Sequence, residues 1–406
     1  MLEAEIKKMG SIVTLGVDNL EIDWGKNNFF RNHSKLFLPG DKKTVIYYYA
    51  DNIQENRPAY SRSLKKVKER LNLLGYTVDG CKDIFESQKS SIPDYYPDEH
   101  DVPFKIFSRI ISSVDTQKVS MPNESDYYDF GEYVTKNILQ DPEFTSQFPD
   151  FDKFSSRNGE FYENIDPYII LRLLAENPNN LSKDVIWRYA DVVEGGWVSE
   201  EKLYEGIDDT ERYLIVTEGS SDTKILKKSL HILLKDLVDF FDFIDMSENY
   251  PFTGTGNLFR FCQGLSRIRI QNRILILLDN DTAGVEAYQK INKLDLPKNM
   301  KVMLLPGIDE CSSFKTIGPS GENEDDIIGK AMSIEFFLDL NYNVKGEPKV
   351  RWTSFNERQN QYQGELINKD YYMKKFLSKR TLKNDYNTSK LEFLWKHILL
   401  ECSKRL

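Results

Sequence analysis

Two short stretches carry residue types able to do chemistry together. In the first, Tyr213-Leu-Ile-Val-Thr runs into Glu218-Gly219-Ser-Ser-Asp222; in the second, Ile274-Leu-Ile-Leu-Leu runs into Asp279-Asn-Asp281-Thr-Ala-Gly284. Each is an apolar run of strand length that stops at carboxylates followed by small residues. In an open α/β sheet, ligands gather where strands end and loops turn into helices. Glu218 and the Asp279/Asp281 pair are therefore expected on one rim. Three carboxylates there repel one another unless a cation joins them. A hard, oxygen-seeking ion such as Mg2+ is the natural candidate, with phosphate as its usual second partner. Asp222, at the start of the following helix, either faces the same site or caps that helix, and the sequence supports both equally.

The elements that must position these groups alternate. Strands are predicted at Leu214–Val216, Phe240–Ile244, Ile274–Leu278 and Lys301–Leu305, with helices at Asp222–Leu234, Leu258–Leu265 and Ala283–Ile291. That alternation predicts an α/β fold with a mainly parallel four-stranded sheet flanked by helices. Gly254 and Gly256, in the loop from Tyr250 to Asn257, suit a phosphate approach or a plain turn. Upstream, Asp18-Asn19 sits between two strand-like runs and predicts a hairpin. Leu36–Pro39 and Thr44–Ala50 are further strand candidates. Ser61–Leu74 has helical apolar spacing and ends at Gly75. Residues 87–133 are polar and proline-bearing, a connecting stretch. Residues 166–205 read as helical, broken at Asn177-Pro-Asn-Asn and resuming over Lys183–Val193.

The 406 residues suffice for two or three domains, and 40% hydrophobic content argues for folded cores over disorder. The formal charge is −10. Residues 341–406 carry 14 Lys and Arg against 7 Asp and Glu, which leaves −17 for residues 1–340. Such a basic segment suits either a nucleic-acid backbone or ordinary solvated helix faces. The cysteines Cys81, Cys262, Cys311 and Cys402 are isolated, with no Cys-x-x-Cys, which disfavours a zinc ribbon or redox dithiol. No run approaches a membrane span, and a soluble, cytoplasmic protein is expected. His33 has no partner nearby in sequence and reads as structural or exposed.

Glu-Gly after one strand and Asp-x-Asp-x-x-Gly after a later one, 61 residues on, resemble the TOPRIM domain of topoisomerases, bacterial primases and nucleases of the overcoming-lysogenization-defect group. Met9-Gly-Ser, Leu20-Glu-Ile-Asp and Glu69-Arg-Leu-Asn-Leu-Leu-Gly-Tyr resemble the N-terminal domain of HEPN/Toprim-associated proteins. Thr316-Ile-Gly-Pro-Ser-Gly, Ala331-Met-Ser-Ile-Glu-Phe-Phe-Leu and Tyr362-Gln-Gly-Glu-Leu-Ile-Asn-Lys-Asp resemble later blocks of the same family. The resemblance covers both ends of the chain and leaves roughly residues 90–205 without support; with the helical reading of that stretch, four parts are expected: an N-terminal β-rich (α+β) domain over 1–95, a helical connecting region over 96–210, a TOPRIM domain over 211–345, and a basic helical extension over 346–406.

It also implies a Mg2+- or Mn2+-dependent endonuclease acting on DNA, RNA or tRNA, an effector of prokaryotic antiviral defence. Asp279 and Asp281 would bind the ion, with Glu218 a further ligand or general acid/base. Asp222 and Glu335 are additional candidate ligands, and Lys369 is a candidate catalytic cation. Lys330 could likewise offset phosphate charge, while Glu322, Glu324, Asp325 and Asp326 read as a solvated acidic loop. Gly219 is expected to serve the tight turn behind Glu218. The alternative is a non-cleaving module that recognises a nucleotide or nucleic-acid end and signals to a partner. None of His33, His100, His231 or His397 follows an Arg at the four-to-six-residue spacing of a HEPN ribonuclease. With no P-loop, ATP-driven sensing would come from a separate sensor or ATPase protein. Oligomeric state, including a homo-oligomer, is left open.

Overall fold

The computed structural model describes residues 11–49, 53–91, 103–119, 165–244, 255–268, 270–342, 346–378 and 386–404. Met9 and Gly10, His100, most of the proline-bearing stretch and the loop around Gly254 lie outside them. The chain divides into two compact units, Met1–Ile207 and Asp208–Lys404.

In the first unit, β1 (Ile12–Val17) and β2 (Leu20–Lys26) form the predicted hairpin. Asp18 sits at φ 54°, a left-handed conformation that Asp and Asn tolerate better than most residues. β3 (Lys42–Tyr48) and β4 (Gln54–Ser63) follow. Next comes α1 (Leu64–Leu73), which buries Leu64, Val67 and Leu71. Gly75 ends it at φ +100°, with Tyr76 N–H donating to Leu71 O and Gly75 N–H to Asn72 O, the pairing that satisfies the last helical carbonyls. α2 (Val78–Ser91), α3 (Phe104–Ser113) and the fully buried α4 (Pro167–Leu174) complete the helical layer.

Two expectations fail in this unit. Leu36–Pro39 is not a strand; Ser34–Leu36 and Pro39–Asp41 are short 3-10 turns. Asp184–Arg188 is not helical but forms strand β5, the centre of an antiparallel sheet ordered β2-β1-β5-β4-β3. Val185 and Trp187 alternate into the core, a period of two that β-branched and aromatic residues favour once neighbours are there to pair. The sheet thus joins residues on both sides of position 95. α5 (Ala190–Glu194) and α6 (Glu200–Leu203) close the unit. His33 is buried, its ring nitrogens 2.8 Å from Asp23 Oδ2 and 3.2 Å from Tyr168 Oη. It is a structural histidine.

The second unit is built on four parallel strands: β6 (Tyr213–Thr217), β7 (Phe241–Ile244), β8 (Arg273–Leu278) and β10 (Met300–Leu304), ordered β10-β8-β6-β7. α7 (Ser220–Leu233) follows β6 and α8 (Thr255–Ile268) precedes β8. The two-residue β9 (Asn280–Asp281) and α9 (Thr282–Ile291) follow β8. Val216, Ile276, Leu258, Cys262 and Ile291 belong to its core. The chain leaves β6 towards β7 on one side and leaves β8 towards β10 on the other. The ends of β6 and β8 therefore flank a switch point, where a crevice opens in sheets of this kind.

A second sheet is ordered β12-β11-β14-β15, from β11 (Phe314–Gly318), β12 (Gly321–Asp325), β14 (Val350–Asn356) and β15 (Gln361–Leu366). β13 (Ala331–Met332) pairs with β9. The segment after 346 is thus not all helical. It opens with the β14–β15 hairpin, whose tip turns at Asn360, φ 51°. Only then come α10 (Lys369–Ser378) and α11 (Ser389–Ser403). Pairing of β14 with β11, in a sheet whose far edge is β12, overrides the polar composition of this stretch.

Candidate functional site

Register brings the predicted carboxylates together. Thr217 at the end of β6 pairs with Leu277 of β8, so Glu218 and Asp279 leave adjacent strands at the same end. Thr217 Oγ1 donates to Gly219 O at 3.0 Å, and Thr223 Oγ1 donates to Ile244 O at 3.1 Å, which fixes the turn behind Glu218. Gly219 itself has extended backbone. A Cβ there would meet only side-chain atoms, the nearest 3.5 Å away, so the turn does not demand glycine. Gly284 is different, because a Cβ would stand 2.0 Å from Asp279 O. The glycine closing Asp-x-Asp-x-x-Gly lets α9 start against the Asp279 backbone.

Asp222 does both things proposed for it. It accepts from Gly219 N–H at 3.2 Å and from Ser221 Oγ at 3.1 Å, an acceptor in the first turn of α7. It also packs closely among Thr217, Leu278, Asp279, Leu305 and Ile334, with no room for a water between them. Asp281 caps α9, its Oδ1 accepting from Gly284 N–H at 2.7 Å, while its Oδ2 accepts from Gln363 Nε2 at 2.6 Å. Glu335 lies in a 3-10 turn, Ile334–Phe337, and is 4% exposed. Ser333 Oγ donates to it at 2.7 Å.

The electrostatics mark these acids as one group. Burial, then the charges of Asp281 and Asp222, pushes the Glu218 carboxyl up to about 8. Burial and then Glu335 push Asp222 up to about 7, against hydrogen bonds from Ser221 and Gly219 and the charge of Lys369. Asp279 is raised well above the usual range by burial, then by Asp222, Glu218, Asp281 and Glu335. Glu218 Oε1 is buried with no hydrogen-bond partner, a costly state for a carboxylate oxygen.

Lys369, the first residue of α10, ion-pairs with Glu365 at 2.7 Å. Burial works against its charge, but Glu365, Glu335 and Asp279 hold its ammonium above the ordinary range. The Lys330 backbone bridges to Asp281, while its Nζ donates to Asp326 O at 2.8 Å. Glu322 and Glu324 lie exposed on β12, Glu322 paired with Lys349. The basic excess of the last segment is partly matched in the same way, by Arg358–Glu286, Lys390–Glu310 and Lys404–Glu401. Sequence reading missed Gln363, although it lies inside the Tyr362–Asp370 block; only the register of β15 shows what it touches.

The donor set is oxygen-only, like-charged and includes an orphaned carboxylate oxygen, which fits a hard divalent cation. Among the described residues, no three His, Cys, Asp or Glu side chains are arranged to close on one ion as they stand.

Residues 9–211, half of the chain, match the family HEPN/Toprim N-terminal domain 1. The chain belongs to that family, whose Toprim association points to a nuclease-related role. No curated protein and no solved structure matches it. Among the described residues no helix is long and apolar enough to cross a membrane.

Proposed function

We propose that residues 211–345 are a TOPRIM domain and that the protein is a Mg2+- or Mn2+-dependent nuclease cutting phosphodiester bonds of nucleic acid. The observation that carries this reading is the meeting of Glu218 and Asp279 at the ends of adjacent parallel strands, with Asp281, Asp222 and Glu335 electrostatically tied to them. Asp279 and Asp281 hold the cation, with Glu218 a further ligand or a general acid/base, and Asp222 and Glu335 extend the acidic wall. When bound, the divalent ion polarises the scissile phosphate and lowers the pKa of a water. In the acid/base role, Glu218, whose buried carboxyl is pushed up to about 8 before any cation is bound, suits proton exchange close to neutral pH. Lys369 offsets phosphate charge once released from Glu365. Antiviral defence in the cytoplasm, a separate sensor or ATPase as trigger, and possible homo-oligomer assembly belong to the same proposal and rest on the family setting.

The test incubates the protein and its Asp279→Ala variant with plasmid, single-stranded DNA and total tRNA, in Mg2+, Mn2+ or chelator. Cleavage that needs both metal and Asp279 is the expected outcome, with the variant still folded. An active Asp279→Ala protein overturns the assignment. Metal-dependent binding without cleavage supports the alternative, a sensing module that signals to a partner.

A further inference from the structure

Gln363 lies on β15, outside the parallel sheet, yet it touches the site twice. Its Nε2 donates to Asp281 Oδ2 at 2.6 Å, and its Oε1 accepts from the Ala283 N–H at 3.1 Å. These partners fix the orientation of the amide. Ala283 offers only a donor and the carboxylate only acceptors, so the flipped amide would set like against like at both ends. The strand is bolted down beside it, Thr282 Oγ1 donating to Tyr362 O at 3.0 Å.

Asp281 needs such a tether. Its charge repels Glu218 and Asp279, so an unheld carboxylate would swing away from them. Gly284 N–H holds Oδ1 and Gln363 holds Oδ2. With one donor on each oxygen, rotation is stopped while each oxygen keeps a lone-pair direction for a cation. Because α9 donates into the same amide, the bond to Asp281 is polarised further.

We propose that Gln363 is a positioning residue that fixes the Asp281 carboxylate for cation binding. The inference rests on reading the carboxylates as cation ligands. Groups that orient a metal ligand without touching the ion typically govern affinity by about 10–100-fold.

The experiment measures Mn2+ binding to full-length protein by calorimetry and by the paramagnetic resonance of free Mn2+, for wild type, Gln363→Met, Asp281→Asn and the double variant. Met keeps the length and removes the donor. Gln363→Met should weaken Mn2+ binding about 10–100-fold with its unfolding midpoint in chelator close to wild type. It should cost nothing further in the Asp281→Asn background, because the two residues act as one. In turnover, the Mn2+ concentration for half-maximal rate should rise while the plateau rate holds. Gln363→Asn, too short to reach, should match Gln363→Met and serves if the latter folds poorly. Wild-type affinity in the folded variants, or losses that add in the double variant, overturn the role of Gln363 alone. A wild-type protein that takes up no Mn2+ overturns the cation site itself, a result separable from the first.

Discussion

Glu218 shows how much chemistry one side chain stores. Its ordinary value of 4.5 is raised to about 8, so between those limits the folded protein binds a proton that the unfolded chain has released. Stability therefore falls as pH rises through that window. In chelator, the melting temperature should drop from pH 5 to pH 8, in a window that overlaps the rise of Asp222 to about 7. Glu218→Gln should flatten the slope; an unchanged slope would mean that Glu218 is not the group responsible. The acids themselves were legible in the sequence, because a carboxylate that abruptly ends an apolar strand-length run has few other reasons to be there. Gln363 was not legible. An amide near a hairpin looks like surface until register shows it facing a carboxylate 82 residues away.

At the scale of elements, the alternation of strands and helices from β6 to β10 was readable because each apolar run was short and ended sharply. β5 was missed because Asp184-Val-Ile-Trp-Arg, read alone, carries apolar residues that fit a short helix as well as a strand. Only its neighbours β1 and β4 decide the matter. Trp187, fully buried on that strand, lies 5.9 Å from Tyr60 and 5.8 Å from Tyr189, ring centre to ring centre. Trp187→Ala should destabilise the N-terminal unit by about 3–5 kcal/mol, the usual cost of deleting a buried large aromatic. Urea unfolding followed by circular dichroism would measure it, and a loss under about 1 kcal/mol would show that β5 is not central to the sheet. The β14–β15 hairpin escaped notice for a related reason: it joins its sheet where β14 pairs with β11, which comes from an earlier stretch of chain.

For the whole molecule, the family match covers residues 9–211, whereas the candidate site lies entirely in the second compact unit. Mn2+ should therefore slow hydrogen exchange at the turns after β6 and β8 and at the start of α9, and leave β1–β5 unchanged. Protection appearing in the N-terminal sheet instead would place the cation elsewhere. The clamp on Asp281 has a last implication, for the order in which the protein is made. Synthesis runs from the N-terminus at about 5–20 residues per second. Strands β6 to β10 thus emerge with all the candidate ligands but Glu335, while Gln363 and Lys369 are still to be translated. On the role proposed for Gln363, a growing chain holds Asp281 by Gly284 alone and gains the second donor only when the second sheet closes. If the activity is a nuclease, a half-made copy is poorly armed beside the ribosome's own RNA.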